Sequence, residues 1–591
     1  MMDPIIQYAQ QGGSLVEVTV PGAVAFVPNP ENEVDAAVGI ERTMCVYVPA
    51  SGCPHPKQTQ VLMVLRNGND IASAQQVLDE LGLAVLAERE HFVIVFPNPS
   101  SDGWNYSQEA GCDDDPQFIV RCFAALKPTV GVSGFNGMMY HLACSPAASA
   151  IVWELAAERP LDTAAIMIGA FPEDFEPSLG KGAEQVAWLY NRNETAEALL
   201  SVRNGADGSV KEFSDHSCHV QEKNSCVTCY VSDAGLSREA LDVAWGRMFA
   251  GCRRWRNDDT GVYQPRPDFE SLGFAPHVND TCLSLPDGIG RTWFEYVPER
   301  LRATTDPIPL VLYFHGINCC GLYGAEQSGW AELADRDGFM CVFPDATAEM
   351  RWNAWGDDRI PTDIDFVMAL IERMAEVHPL DRSRIYISGF SMGSMFSNAL
   401  AYAYPEAFAG VVALNGPHMT LENTLEESAP GMLLFNPKSV IGNMEHRDED
   451  KSPTRVLAES KRDGLSWRMP FVQFVGLLDN VGFNKGKLFP VTAAEDSSWY
   501  ATVQYWKEQN GIDADPMLSA DTPTGFASDY VRIEGRFVHQ SWSDSEGAEG
   551  LYHLVAVERM PHAVDLNGVE MGWEIIKRYK RNGDGSLGMV G

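Results

Sequence analysis

Residues 384–393 read Arg384-Ile385-Tyr386-Ile387-Ser388-Gly389-Phe390-Ser391-Met392-Gly393, and a stretch rich in small and apolar residues follows, from Ser394 to Ala403. The first five residues have the β-branched and aromatic character of a buried strand, and the segment after Gly393 has the spacing of a helix. Gly-x-Ser-x-Gly on a strand-to-helix turn is a nucleophile elbow. The serine there needs a strained backbone so that its hydroxyl projects above the sheet. Glycines flank it because a side chain would collide with the neighbouring strand or helix.

Outward from this turn, short apolar runs at 310–314, 339–343, 385–388, 410–414, 471–475 and 553–557 alternate with helical patterns at 325–336, 362–377, 394–403, 496–509 and 567–579. Buried strands separated by amphipathic helices predict an α/β fold, with a mainly parallel sheet flanked by helices. Active sites in such sheets form at the carboxyl ends of the strands.

A serine nucleophile of this kind needs an acid and then a histidine, in that chain order. Gly476-Leu477-Leu478-Asp479 follows the run ending at Val475, and Glu558-Arg559-Met560-Pro561-His562 follows the run ending at Val557. Asp479 and His562 are therefore expected on loops at the same sheet edge as Ser391. His418 and His446 precede the acid, and His539 and His553 lie inside predicted strands, where packing or pairing accounts for them. The oxyanion hole needs two backbone N–H groups. Met392, next to the nucleophile, supplies one, and the loop after Leu310-Val311-Leu312-Tyr313-Phe314-His315-Gly316 supplies the other through Ile317, with Asn318 next to it. His315 is expected to pack under that loop and hold its shape, is counted with the substrate-binding residues, and is not assigned as a base. Trp352 and Trp355 follow a strand end and are expected to wall an acyl group. The segment 417–469 lies between two predicted strands and is expected to form a lid.

The first half of the chain repeats the second. Arg42-Thr43 and Tyr47-Val48-Pro49 recur as Arg291-Thr292 and Tyr296-Val297-Pro298, an offset of 249. The run ending at Asn67-Gly68 returns as the one ending at His315-Gly316, and the segment around Phe92 returns around Phe339. Trp104-Asn105 returns as Trp352-Asn353, and Gly134 in VSGFNG pairs with Gly389 at an offset of 255. The expected organisation is a degenerate domain at 1–255, a polar linker at 256–275 and a catalytic domain at 276–591. On this pairing Asn136 stands where the nucleophile is needed, and neither Tyr190–Glu194 nor Val231–Ala234 supplies the matching acid or histidine. The first copy is therefore expected to be inactive.

The chain has 591 residues, 45% hydrophobic and 21% charged, with a formal net charge of −37. Such a charge argues against nucleic acid and anionic membranes as partners and favours a neutral or weakly charged substrate. With the serine chemistry above, a small-molecule or oligomeric ester is the expected partner. The N-terminus shows no basic or apolar leader pattern, and no stretch approaches a membrane span, so a cytoplasmic location is expected. His216, Cys218, His219, Cys226 and Cys229 fall close together, but no second Cys-x-x-Cys accompanies them, and they read as buried thiols rather than metal ligands.

RTWFEYVPE, LVLYFHG, WAELADRDGFMCVFPDA, DIDFVMALIERMAEVHPLDRSRIYISGFSMGSM, PFVQFVGLLDNV and PHAVDLNGVEMGWEIIKRY carry a resemblance. The second half resembles the polyhydroxybutyrate-depolymerase-like and feruloyl-esterase-like α/β-hydrolases, which makes the chain a tandem pair of α/β-hydrolase domains. The resemblance implies a Ser391–Asp479–His562 triad with no metal or organic cofactor. The expected activity is hydrolysis of carboxylic esters through an acyl-serine, on hydroxycinnamoyl (feruloyl-type) or short-acyl esters. A short-chain polyester is the second candidate substrate. A carbohydrate- or polymer-binding protein without turnover is the alternative of another class.

Overall fold

The computed structural model describes residues 12–20, 41–54, 57–101, 103–106, 114–205, 209–267, 269–317, 319–347, 352, 363–417, 467–479, 488–493, 498–513 and 516–590. The chain divides into two compact units, one holding Asp3–Val27 and Glu31–Pro267 and the other Asp268–Gly591.

The first unit contains a ten-stranded sheet: β1 (Leu15–Val20), β2 (Arg42–Tyr47), β3 (Val61–Leu65), β4 (Val93–Pro97), β5 (Met139–Ala143), β6 (Ala165–Ile168), β7 (Val186–Leu189), β8 (Val210–Glu212), β9 (Ser217–Val220) and β10 (Thr228–Val231). The second unit contains β11 (Ala275–Asp280), β12 (Arg291–Tyr296), β13 (Ile308–Phe314), β14 (Met340–Pro344), β15 (Leu380–Phe390), β16 (Gly410–Leu414), β17 (Phe471–Gly476), β18 (Tyr530–Glu534), β19 (Phe537–Ser543) and β20 (Glu549–Val557). The strand orders are β1-β2-β4-β3-β5-β6-β7-β10-β9-β8 and β11-β12-β14-β13-β15-β16-β17-β20-β19-β18, so each strand of one sheet has its counterpart ten numbers on in the other.

In both sheets six central strands run parallel and the two strands at each edge are antiparallel. Every residue of β13, β14, β16 and β17 is buried, which is why these strands are continuous apolar runs rather than alternating ones. The edge strands β8 and β18 are mostly exposed and carry charged residues, which discourages pairing with another chain. Helices flank both sheets, and among the described residues none is long and apolar enough to cross a membrane.

The register corrects two sequence pairings. Trp104 Nε1–H donates to the Arg66 carbonyl as Trp352 Nε1–H does to that of His315, so Arg66, not Asn67, answers to His315 and Leu65 to Phe314. Val132–Phe135 and the turn Asn136–Met138 lie before β5, not after it, so Asn136 is not at the elbow position. Leu65 pairs with Ala143 in the first unit, and Phe314 pairs with Gly389 in the second. Ala143 therefore takes the place of Gly389, and Ser145 that of Ser391. Gly134 and Gly137 misled because they answer a different close approach. A Cβ at Gly134 would lie 2.3 Å from the Val61 side chain, and one at Gly137 would lie 2.4 Å from the Arg254 carbonyl.

Residues 256–267 are not a bare connector. Arg254–Trp255 pairs with Val262–Tyr263, and the buried Tyr263 hydroxyl donates to the Ala164 carbonyl at 2.8 Å and accepts from the Val186 N–H. An aromatic anchor of this kind ties the polar stretch into the core of the first unit. The described cysteines of both units are free thiols, and those of the 216–229 cluster are divided between β9, β10 and the turn joining them, with Cys218 and Cys229 buried.

Candidate active site

β15 ends at Phe390, and the helix Met392–Ala403 begins directly after Ser391. Ser391 has φ +56° and ψ −118°, a backbone conformation that a residue with a Cβ adopts only under constraint. Its N–H donates to the Leu414 carbonyl at 2.8 Å and its carbonyl accepts from Met395 N–H, so both neighbouring elements hold the strained residue. The flanking glycines are required by space. A Cβ at Gly389 would stand 2.2 Å from the Gly393 carbonyl oxygen, and one at Gly393 would stand 2.0 Å from that of Phe314.

Asp479 follows β17, and His562 follows β20, the strand paired with β17 in parallel. His562 Nδ1 and Asp479 Oδ2 lie 2.7 Å apart, with side-chain exposures of 15% and 2%. A buried carboxylate accepting from Nδ1–H leaves Nε2 as the ring's basic nitrogen. The His562 ring also lies 4.8 Å, centroid to centroid, from that of Phe390, the neighbour of Ser391. Ser391, Asp479 and His562 thus stand at the carboxyl ends of β15, β17 and β20, with His562 bonded to Asp479 and packed on the residue before Ser391.

Backbone bonds lace the acid and histidine loops together. Leu477 N–H donates to Val557 O at 3.1 Å and Leu478 N–H to Met560 O at 2.9 Å. A further brace comes from Asn415, which the sequence reading missed. It follows β16 with φ +51°, is 2% exposed, accepts from Gly476 N–H at 2.7 Å and donates through Nδ2 to the Ala563 carbonyl at 2.5 Å. One side chain therefore spans from the end of the acid strand to the residue after His562. The available signal was an asparagine closing an apolar strand, Gly410-Val411-Val412-Ala413-Leu414-Asn415.

The loop after β13 lies over the nucleophile. A Cβ at Gly316 would be 3.4 Å from the Ser391 Cβ and 3.2 Å from the Phe390 ring. The Gly316 carbonyl accepts from His315 Nδ1 at 2.7 Å and from Cys319 N–H at 3.2 Å. In a trans peptide the Ile317 N–H points opposite to that carbonyl, away from the His315 ring. His315 is fully buried, and its Nε2 accepts from Ala346 N–H at 3.0 Å, so the ring is neutral with its proton on Nδ1. Burial holds its pKa down at about 4. It braces the loop from beneath and is not placed to touch a substrate. Met392 is the first residue of its helix, where an N–H has no partner within the helix. Nearby, Asp345 accepts from Gly321 N–H at 2.5 Å at the start of the helix Gly321–Ser328, and burial raises its pKa to about 6.

Trp352 is also not an acyl wall. It is 1% exposed, stacks on Phe396 at 4.6 Å, meets Phe314 edge-on and donates Nε1–H to the His315 carbonyl at 2.8 Å. An indole buried on both faces with its donor satisfied belongs to the core, and here it fixes the loop that covers Ser391. Trp355, Asn318 and residues 418–466 of the expected lid lie outside the described residues.

The same positions in the first unit hold different chemistry. Ser145 has an extended backbone, φ −154°, and its hydroxyl donates to Asn67 Oδ1 at 2.6 Å while capping the helix Pro146–Glu158 at Ala148 N–H. Leu189 pairs with Val231 as Gly476 pairs with Val557, and Asn191 N–H bonds Ala234 O as Leu478 N–H bonds Met560 O. Arg192 therefore stands at the acid position, paired with Asp233 at 2.8 Å, and Leu236 at the histidine position. The unit keeps a serine but has neither the strained turn nor a base.

Residues 309–515 match the family model described as the alpha/beta hydrolase fold. The chain is similar to a bifunctional acetylxylan esterase/xylanase of Neocallimastix patriciarum, 31% identical over 143 residues, covering 24% of this chain and 20% of that protein. It is similar to poly(3-hydroxyalkanoate) depolymerase C of Paucimonas lemoignei, 30% identical over 131 residues, covering 21% and 30%. It is also similar to feruloyl esterase B of Neurospora crassa, 26% identical over 200 residues, covering 32% and 63%. The chain thus spans less than two thirds of each relative's length. The family model lies within the second unit, and the first unit repeats that unit's strand order, so both units have an α/β-hydrolase-like fold, and the chain is similar to esterases of that fold.

Proposed function

We propose that the second unit is a serine carboxylic-ester hydrolase that works through an acyl-enzyme, and that the first unit carries no chemistry. The observation that carries this reading is the 2.7 Å bond between His562 Nδ1 and Asp479, set beside a serine held at φ +56°.

His562 Nε2 takes the Ser391 hydroxyl proton as Oγ attacks the ester carbonyl, and Asp479 stabilises the imidazolium that forms. The N–H groups of Met392 and Ile317 receive the developing oxyanion. Collapse expels the alcohol, which takes the proton from His562 and leaves Ser391 acylated. Water, deprotonated by the same ring, then releases the acid and restores the hydroxyl.

The substrates proposed are short-acyl or hydroxycinnamoyl esters, in line with the acetylxylan and feruloyl esters in the relatives' names. With Trp352 in the core, no described aromatic wall favours the hydroxycinnamoyl group over acetyl. The test is hydrolysis of p-nitrophenyl acetate, p-nitrophenyl butyrate, methyl ferulate and a 3-hydroxybutyrate oligomer by wild type and Ser391→Ala. Turnover of at least one ester by wild type, lost in the variant, supports the reading. Equal turnover in both proteins refutes it.

A further inference from the structure

We propose that His539, Glu549 and His553 form a site for one divalent cation of the zinc class. The site lies on the outer hairpin β19–β20, apart from the Ser391 centre and independent of the esterase reading. Ser541 lies opposite His553 and His539 opposite Val555, which makes the two histidines diagonal neighbours on one face of the sheet. The irregular register between Ser541 and Ser543 brings Glu549 to the same place.

His539 Nε2 and His553 Nδ1 are 2.8 Å apart, His553 Nδ1 and Glu549 Oε1 are 3.9 Å apart, and one ligand atom from each residue lies within 4.8 Å of the others. A tetrahedral cation with ligands at about 2.0–2.1 Å separates its ligand atoms by about 3.3 Å. The first two distances bracket that value, and the widest separation, within 4.8 Å, would have to close by up to about 1.5 Å, a movement of the Glu549 side chain. Two imidazoles with one carboxylate favour Zn²⁺, Co²⁺, Ni²⁺ or Cu²⁺ over Mg²⁺ and Ca²⁺.

The surroundings suit the role. Glu549 Oε1 accepts from the Ser541 hydroxyl at 2.6 Å and its Oε2 from the Arg532 guanidinium, so the carboxylate is oriented by its own partners, as ligating carboxylates usually are. The buried bond between His539 Nε2 and His553 Nδ1 needs one of the two facing nitrogens to accept, so at least one is already the unprotonated atom that ligates. At present one facing ring nitrogen carries the proton of the His–His bond. Binding needs that ring to move its proton to the outer nitrogen, with no net loss of a proton. His553 lies four residues before the end of β20, so the cation would staple the strand that carries the His562 loop from about 13 Å away along its length.

The test uses the full chain, stripped with a chelator and titrated with ZnCl₂ by calorimetry and with CoCl₂ by visible absorption. The proposal expects one equivalent bound, a raised Tm, and cobalt d–d bands without the intense thiolate charge-transfer that a cysteine site would give. In His539→Gln/His553→Gln the affinity should fall at least tenfold while hydrolysis of p-nitrophenyl acetate is retained. Glu549→Gln, which leaves the imidazole pair intact, should weaken binding by a similar factor and serves if the double variant does not fold. Absence of uptake by wild type, thiolate charge-transfer, or uptake unchanged in the variants would overturn the proposal.

Discussion

Asn415 offers the sharpest test of how the catalytic loops are held. Replacing it with glycine keeps the φ of +51° without strain and removes only the side chain, whereas alanine also adds a backbone penalty of about 1–2 kcal/mol. Either change leaves Gly476 N–H and the Ala563 carbonyl without the partners they have at 2.7 and 2.5 Å in a site where Asn415 is 2% exposed. A buried polar group left unsatisfied costs about 1–3 kcal/mol, so two cost about 2–6 kcal/mol unless the loops move to find other partners. Such movement would carry His562 and Asp479 with it, and a displacement of about 1 Å lowers turnover about 100-fold. Asn415→Gly should therefore show kcat for p-nitrophenyl acetate reduced roughly 10- to 100-fold with KM little changed. Asn415→Ala should show the same loss with a lower Tm. A kcat for Asn415→Gly within about twofold of wild type, measured beside a lowered Tm, would mean the bonds support the fold alone and would refute the reasoning.

Trp352→Phe removes the donor to the His315 carbonyl and should lower stability by about 1 kcal/mol with no change in the ranking of acetyl, butyryl and feruloyl esters; a changed ranking would return Trp352 to the acyl pocket. Ser145→Ala should lower the stability of the first unit by about 1 kcal/mol through loss of a helix cap and leave ester turnover unchanged, as parallel melting and kinetic measurements would check. His315 is neutral in the fold with a pKa of about 4, against about 6.5 when unfolded. The unfolded chain therefore binds the extra proton between those values, and the stability tied to the neutral ring is complete above pH 6.5 and falls as pH drops toward 4. Relative to His315→Asn, wild type should lose about 3 kcal/mol over that window in denaturant titrations, and a pH-independent difference would contradict the assignment.

The strand-to-helix turn at Ser391 and the strand ends that carry Asp479 and His562 were legible because each is a local pattern. Gly389 and Gly393 are forced by backbone clashes, and Asp479 and His562 each follow a short apolar strand. Asn415 was not legible, because its function exists only when β16 and β17 lie side by side and the His562 loop closes over them. Trp352 shows the opposite failure. An aromatic residue past a strand end can face a pocket or the core, and only the bond to the His315 carbonyl decides it. The repeat was read correctly as a duplication, and both sheets share one strand order, but the elbow match drifted to an offset of 255 while the others held at 247–249. That drift marked a false pairing. The glycines of 134–137 serve a turn before β5, and the serine at the elbow position is Ser145.

On the proposed function, Ser391 is an activated nucleophile and Ser145 is not. Incubation with a fluorophosphonate, followed by intact mass and peptide mapping, tests it most directly, since such reagents acquire a stable bond only to a hydroxyl deprotonated by a neighbouring base. A single adduct on Ser391, none on Ser145, and no adduct in His562→Ala are expected. Labelling of Ser145, or an unlabelled Ser391 in folded wild-type protein, would contradict the proposed function.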